Sequence, residues 1–215
     1  MPNQLHPSAH VLTVAATGAS GALFTRALLL ALEHDDRVKT VNFIASDNAL
    51  RVFAEELAIK GRNHLVAQLI GKQSKKIQQQ NNDDIGGNVA SGSYPTRAMI
   101  VIPCSMGTLA RIAHGLAGNL IDRAADVCIK EKRPLVLCTR ETPLNRVHIR
   151  NMEWAVEAGA TIYPLIPTFY NQPKTFDEMA HQFACRVLQF VGLEQKDAYR
   201  WRAENPPRRH GGTEK

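Results

Sequence analysis

Several things are missing from these 215 residues, and each absence closes off a class of protein. No stretch approaches the roughly 18 consecutive apolar residues that a membrane span requires, and Met1 to His10 lacks the apolar region of a signal peptide. The expectation is a cytoplasmic protein with no membrane span. The four cysteines, Cys104, Cys128, Cys138 and Cys185, are scattered, with no CxxC and no Cys/His ligand spacing. They point to buried thiols rather than to a disulfide framework or a zinc site. No helix-turn-helix, zinc-finger or aromatic-basic motif accompanies the net charge of +6, and the basic residues are dispersed apart from Lys72 to Lys76 and Arg200 to Arg209. That pattern argues against nucleic acid and for phosphorylated small molecules.

What is present is globular material, 44% hydrophobic and 21% charged, in a chain long enough to bury a core without metals. Residues 1–10 read as a flexible N-terminus and 11–195 as one domain. Residues 196–215 read as a C-terminal segment, partly ordered around Trp201 and then flexible. Short apolar runs at Val11 to Ala16, Val41 to Ala45, Ala98 to Pro103, Leu135 to Thr139 and Thr161 to Leu165 predict strands. Between them, helical patterns cover Phe24 to Ala31, about Asn48 to Lys60, from Ser105, Asn119 to Arg133 and Val147 to Ala158. This alternation predicts an α/β fold, a Rossmann-like (flavodoxin-like) doubly wound three-layer sandwich with a mostly parallel sheet. Gly61 to Asn88, rich in Gln, Asn and Lys, reads as a helix followed by a mobile loop.

Ligands of such sheets bind outside the carboxyl ends of the strands, so the residues after each strand are the candidates. After the first comes Gly18-Ala19-Ser20-Gly21, where small residues let amides approach an anion or a planar cofactor; a plain tight turn is the alternative. The segment is neither GxGxxG nor a P-loop. After the second comes Ser46. After the third comes Pro103-Cys104-Ser105-Met106-Gly107-Thr108, in which Ser105 suits either a ligand or a simple N-cap. Cys104 reads as a buried thiol, since no partner His is identifiable. Arg140-Glu141 follows the fourth strand, pairing a phosphate clamp with a proton carrier. Asp126 and Lys130 have the spacing of a surface ion pair. The fifth strand leads into Pro167-Thr168-Phe169-Tyr170-Asn171-Gln172-Pro173, an aromatic segment between prolines that suits a lid.

Seven segments in order then resemble the UbiX/Pad1 flavin prenyltransferases: 16–22 (ATGASGA), 90–93 (ASGS), 103–109 (PCSMGTL), 119–127 (NLIDRAADV), 130–137 (KEKRPLVL), 140–144 (RETPL) and 169–173 (FYNQP). The resemblance spans Val11 to Trp201. It implies a dodecameric flavoprotein with FMN between subunits, joining the dimethylallyl group of a dimethylallyl phosphate to N5 and C6 of reduced FMN without a metal. The prenylated FMN would then go to a UbiD-type decarboxylase, with ubiquinone synthesis among the plausible pathways. Carried over by motif, Gly18, Ala19, Ser20, Ser46, Ser105, Met106, Gly107, Thr108 and Arg140 would hold FMN. Ser91, Gly92, Arg123, Lys130, Tyr170, Arg186 and Trp201 would surround the prenyl phosphate. Ser20, Glu56, Lys130 and Glu141 would be catalytic, with Glu141 relayed through Ser20 to take the proton released at C6. Two other readings are an FMN-dependent cysteine decarboxylase, whose Asn-Met motif Asn151-Met152 resembles only superficially, and a non-catalytic flavin carrier.

Overall fold

Residues 10–200 are described by a computed structural model. In it, strands β1 (Val11–Ala16), β2 (Thr40–Ala45), β3 (Ile77–Gln80), β4 (Ala98–Cys104), β5 (Leu135–Thr139) and β6 (Thr161–Ile162) form one sheet in the order β3-β2-β1-β4-β5-β6. Every pairing is parallel. The connecting helices are α1 (Ala22–His34), α2 (Asp47–Leu57), α3 (Leu65–Ile70), α4 (Met106–Ala113), α5 (Leu120–Lys130), α6 (Arg146–Glu157) and α7 (Phe176–Phe190). Strand order reverses between β1 and β4, which opens a crevice at their carboxyl ends.

Side chains alternate across a strand, and here both faces are apolar. Leu12, Val14, Val41, Phe43, Ile100 and Ile102 point to a core shared with α1, α2, α3 and α7. Ala15, Ile44, Met99, Val101, Leu135 and Leu137 point to a second core with α4, α5 and α6. That is the expected three-layer sandwich. Among the described residues no helix is long and apolar enough to cross a membrane.

Helix starts follow their capping residues. Ser46, Ser105, Asn119, Asn145 and Thr175 each accept an amide of the first turn, which satisfies a donor that the helix cannot. The helices consequently run over 47–57, 120–130 and 146–157 rather than the slightly different spans expected.

Two expectations change. The stretch after Gly61 holds a short helix and then a sheet strand, β3, where a loop was expected. Its Ile-Gln-Gln-Gln sequence carries almost no apolar signal; the backbone ladder to β2 and the bond that Gln80 Nε2 donates to Asn42 Oδ1 (3.0 Å) hold it at the sheet edge. The last strand is regular only over Thr161–Ile162, although the Tyr163 and Leu165 amides still donate to Leu137 O (2.9 Å) and Thr139 O (2.8 Å) beyond it.

Candidate active site

Backbone and hydroxyl bonds knot the loops after β1, β2, β4 and β5 together. Thr17, on leaving β1, donates its amide (3.1 Å) and its hydroxyl (3.0 Å) to Pro103 O, and its Oγ1 accepts the Ser105 amide (2.7 Å). The Ser46 amide donates to Ala16 O (3.1 Å), and the Arg140 amide to Cys104 O (3.3 Å). Ser20, Ser46, Ser105–Thr108 and Arg140–Glu141 therefore share the rim at the switch point. Thr17 was missed by sequence reasoning, although it lies inside the ATGASGA segment directly at a strand end.

Helix α1 begins at Gly21 with no capping side chain of its own. Glu56, from α2, supplies the cap: its carboxylate accepts the Gly21 amide (3.1 and 3.0 Å) and the Ala22 amide (2.7 Å). A carboxylate is favoured there by the orphan amides and the positive end of the helix dipole. This puts Glu56, rather than its neighbour Glu55, beside the Ser20 loop. Gly18 is glycine for space, since an added Cβ would lie 2.4 Å from Asn48 Cβ.

Ser46 Oγ accepts the Ala49 amide (3.1 Å) and Ser105 Oγ the Thr108 amide (3.4 Å), so both are caps as well as rim residues. Ser105 also donates to Thr108 Oγ1 (3.2 Å), which takes a second bond from Arg111 (3.1 Å). Ala19, Met106 and Thr108 are buried, whereas Gly18, Ser20, Gly107, Arg140 and Glu141 are exposed. At Gly107 the nearest atom to an added Cβ is Arg111 Nη1, at 3.8 Å. A rim with the exposed small residues Gly18, Ser20 and Gly107 fits a planar group such as the FMN ring.

Cys104 lies at the crevice floor, and burial pushes its thiol up to about 12, so it stays protonated and is not a nucleophile. Burial raises Cys128 and Cys185 to about 12 as well, and Cys138 far above its ordinary value.

Not every candidate joins this rim. Ser91, Gly92 and Lys130 come together elsewhere: an added Cβ on Gly92 would lie 2.6 Å from Lys130 Nζ and 2.2 Å from Glu131 Oε1. The Arg133 guanidinium fixes their turn through Gly92 O (2.6 Å) and Tyr94 O (2.8 Å), another role that sequence reasoning missed. This cluster lies at the amino ends of the strands, where the Arg97 amide meets Val11 O (2.8 Å) at the start of β1. Within one chain it is opposite the Ser20 rim. Lys130 pairs with Glu131 and Arg123 with Asp126, so the Asp126–Lys130 pair expected from spacing does not form. Glu141 accepts its neighbour's amide, Thr142 (3.0 Å), and no hydrogen bond joins it to Ser20 among the described residues. Tyr170 is exposed in the loop beyond β6. Arg186 donates to Gln189 Oε1 (2.7 Å) and lies against Tyr163. Asn151 is buried in α6 against His114 (3.3 Å). Trp201 lies outside the described residues.

A doubly wound sheet with a small-residue rim at its switch point is the architecture of a nucleotide-type cofactor binder, and residues 2–180 match the family model described as Flavoprotein. The flavin prenyltransferase UbiX of Halalkalibacterium halodurans is 40% identical over 196 residues, which is 90% of this chain and 94% of that protein. The crystal structure of AnUbiX (PadA1) in complex with FMN and dimethylallyl pyrophosphate matches with a TM-score of 0.79 at 36% identity, over 89% of this chain and 97% of that one. A dodecameric FMN-dependent UbiX-like decarboxylase from Escherichia coli O157:H7 matches with a TM-score of 0.78 at 41% identity, over 89% and 98% of the two chains. This chain belongs to the UbiX flavin prenyltransferase family.

Proposed function

We propose that this protein joins the dimethylallyl group of dimethylallyl phosphate to N5 and C6 of reduced FMN and hands the prenylated flavin to a UbiD-type decarboxylase. The observation that carries this reading is the hydrogen-bonded junction of the loops after β1 and β4, with the Glu56 carboxylate seated at the start of α1 beside Ser20. Reduced FMN, when bound, supplies the nucleophilic ring atoms. Gly18, Ala19, Ser20, Ser46, Ser105, Met106, Gly107, Thr108 and Arg140 hold it, with amides and hydroxyls meeting its polar edge.

Cations serve the leaving phosphate by stabilising charge as it departs, without a metal. Lys130, Arg123 and Arg186 take that role, with Ser91, Gly92 and Tyr170 around them. Because Ser91, Gly92 and Lys130 lie opposite the rim in one chain, the complete site needs a second copy whose amino edge faces the first copy's crevice. A homo-oligomer, the dodecamer among such assemblies, meets that need. Large apolar side chains left exposed at Leu144, Val147, Ile149, Ile166 and Phe169 offer surface for it. In this reading Glu56, Ser20 and Glu141 hold and move the proton released at C6. A cytoplasmic location belongs to the same reading, since four free thiols suit a reducing compartment.

The test is incubation of the purified protein with FMN, a reductant and either dimethylallyl phosphate or the diphosphate, followed by mass spectrometry. A flavin heavier by one five-carbon unit is the expected product. Unchanged flavin with both donors would leave a carrier, not an enzyme.

A further inference from the structure

His181 and Cys185 lie one helical turn apart on α7, and Asp197 comes back to them from the segment after it. Although no Cys/His ligand spacing stood out in the sequence, the three side chains converge. His181 Nε2 is 3.4 Å from Cys185 Sγ and 2.5 Å from Asp197 Oδ2, and Cys185 Sγ is 4.0 Å from Asp197 Oδ1. One ligand atom from each residue falls within 4.8 Å of the other two.

The geometry discriminates between two kinds of site. A nucleophilic relay places the thiol on one imidazole nitrogen and the carboxylate on the other, so that a proton can pass through the ring. Here both partners face the same nitrogen, Nε2. Three ligand-type atoms gathered within 4.8 Å of one another, with no through-ring path, suit a cation site rather than a relay.

Tetrahedral zinc, with bonds of about 2.3 Å to sulfur and about 2.0–2.2 Å to nitrogen and oxygen, sets ligand atoms roughly 3.4–3.6 Å apart. The His–Cys separation already fits. The His–Asp contact has to lengthen and the Cys–Asp separation to shorten by a few tenths of an ångström, both of which a turn of the largely exposed Asp197 side chain supplies. Its backbone is held in place meanwhile: Gln182 donates to Asp197 O (3.1 Å) and accepts the Tyr199 amide (2.8 Å). A cavity of about 350 Å³, lined by Arg26, Ala27, Leu30, Asp177 and His181, borders the cluster on its His181 side.

We propose that His181, Cys185 and Asp197 form a binding site for a thiophilic divalent cation of the zinc type, separate from the residues assigned to flavin prenylation. Binding exchanges the Cys185 proton, released to solvent, for a metal–sulfur bond. The cation would tie the chain at Asp197 to α7.

Cobalt is the probe, because a cobalt–thiolate bond gives a near-ultraviolet charge-transfer band. Metal-stripped full-length protein titrated with Co²⁺ is expected to show that band, saturating at one ion per chain and reversed by Zn²⁺. Cys185→Ser should abolish the band, and the surface change Asp197→Asn should weaken binding roughly tenfold or more, with prenylation unchanged in the latter. Absence of the band in the unaltered protein, or its persistence at full affinity in Asp197→Asn, would overturn the proposal. So would cobalt binding that leaves the thiolate band dark, since the ion would then lie elsewhere.

Discussion

Gly18 offers a sharp test of how the rim is built. Replacing it with Ala places a Cβ 2.4 Å from Asn48 Cβ, about 1 Å inside the 3.4 Å at which ordinary contact begins. Asn48 Cβ is anchored in the first turn of α2 and cannot swing aside, so the β1–α1 loop or the start of α2 must give way. Overpacking of this kind costs about 1–3 kcal/mol, or roughly 2–12 °C in melting temperature for a chain of this size. Because Ser46 caps α2 and Glu56 caps α1 across the same gap, FMN affinity should fall as well. Thermal melts at fixed protein concentration and flavin fluorescence titrations measure both effects. Asn48→Gly removes the opposing Cβ, so the double variant should recover all but about 0.5 kcal/mol, the helix cost of the new glycine. The coupling in that cycle should be at least 1 kcal/mol or so. Gly107→Ala, whose Cβ meets nothing closer than 3.8 Å, is the control for the thermal melts. A Gly18→Ala protein that melts like the parent, or a cycle with no coupling, would refute the steric account.

Glu141→Gln and Ser20→Ala should each slow prenyl-FMN formation about 100-fold or more, as loss of a proton carrier does; parental rates in a single-turnover assay would remove both from the proton path. Arg133→Ala frees the 91–94 turn and should raise KM for the prenyl phosphate several-fold with little change in FMN binding, while equal losses of both would contradict that role. Asp35 is held at about 2 rather than its ordinary 3.8, chiefly by its hydrogen bond from Arg37. A lowered carboxyl contributes stability that is complete above pH 3.8 and is lost as pH falls toward 2. With Arg37 half exposed, that contribution is about 1–2 kcal/mol, so Asp35→Asn should melt earlier at neutral pH and show a flatter acid-unfolding slope between those values.

Much of this protein can be read along the chain because the information is local. The alternation of short apolar runs with amphipathic helices pointed to a doubly wound sheet, since a strand buried on both faces reads as an unbroken apolar run while each helix keeps its own 3.6-residue period. Ser46, Ser105 and Arg140 could be placed on the crevice because topology puts whatever follows a parallel strand there. Cys104 could be set aside as a buried thiol, and burial raises it to about 12.

Other features have no local signal. The β3 strand exists through main-chain pairing with β2, which a polar Gln-Gln-Gln run neither advertises nor prevents. The cap on α1 is a carboxylate from Glu56, 35 positions beyond Gly21, and a missing cap in the sequence does not say who supplies it. Asp197 reaches His181 only because the chain folds back along α7. Sequence alone determined the period of each element and the chemistry at its ends. Tertiary structure decided which ends meet: it set Glu56 on the Gly21 and Ala22 amides next to Ser20, parted Lys130 from both, and brought Cys185 and Asp197 to one nitrogen of His181. The physical reason is that periodicity is set by neighbours in the chain, whereas a site is set by distances in space that closing the sheet and packing the helices alone fix.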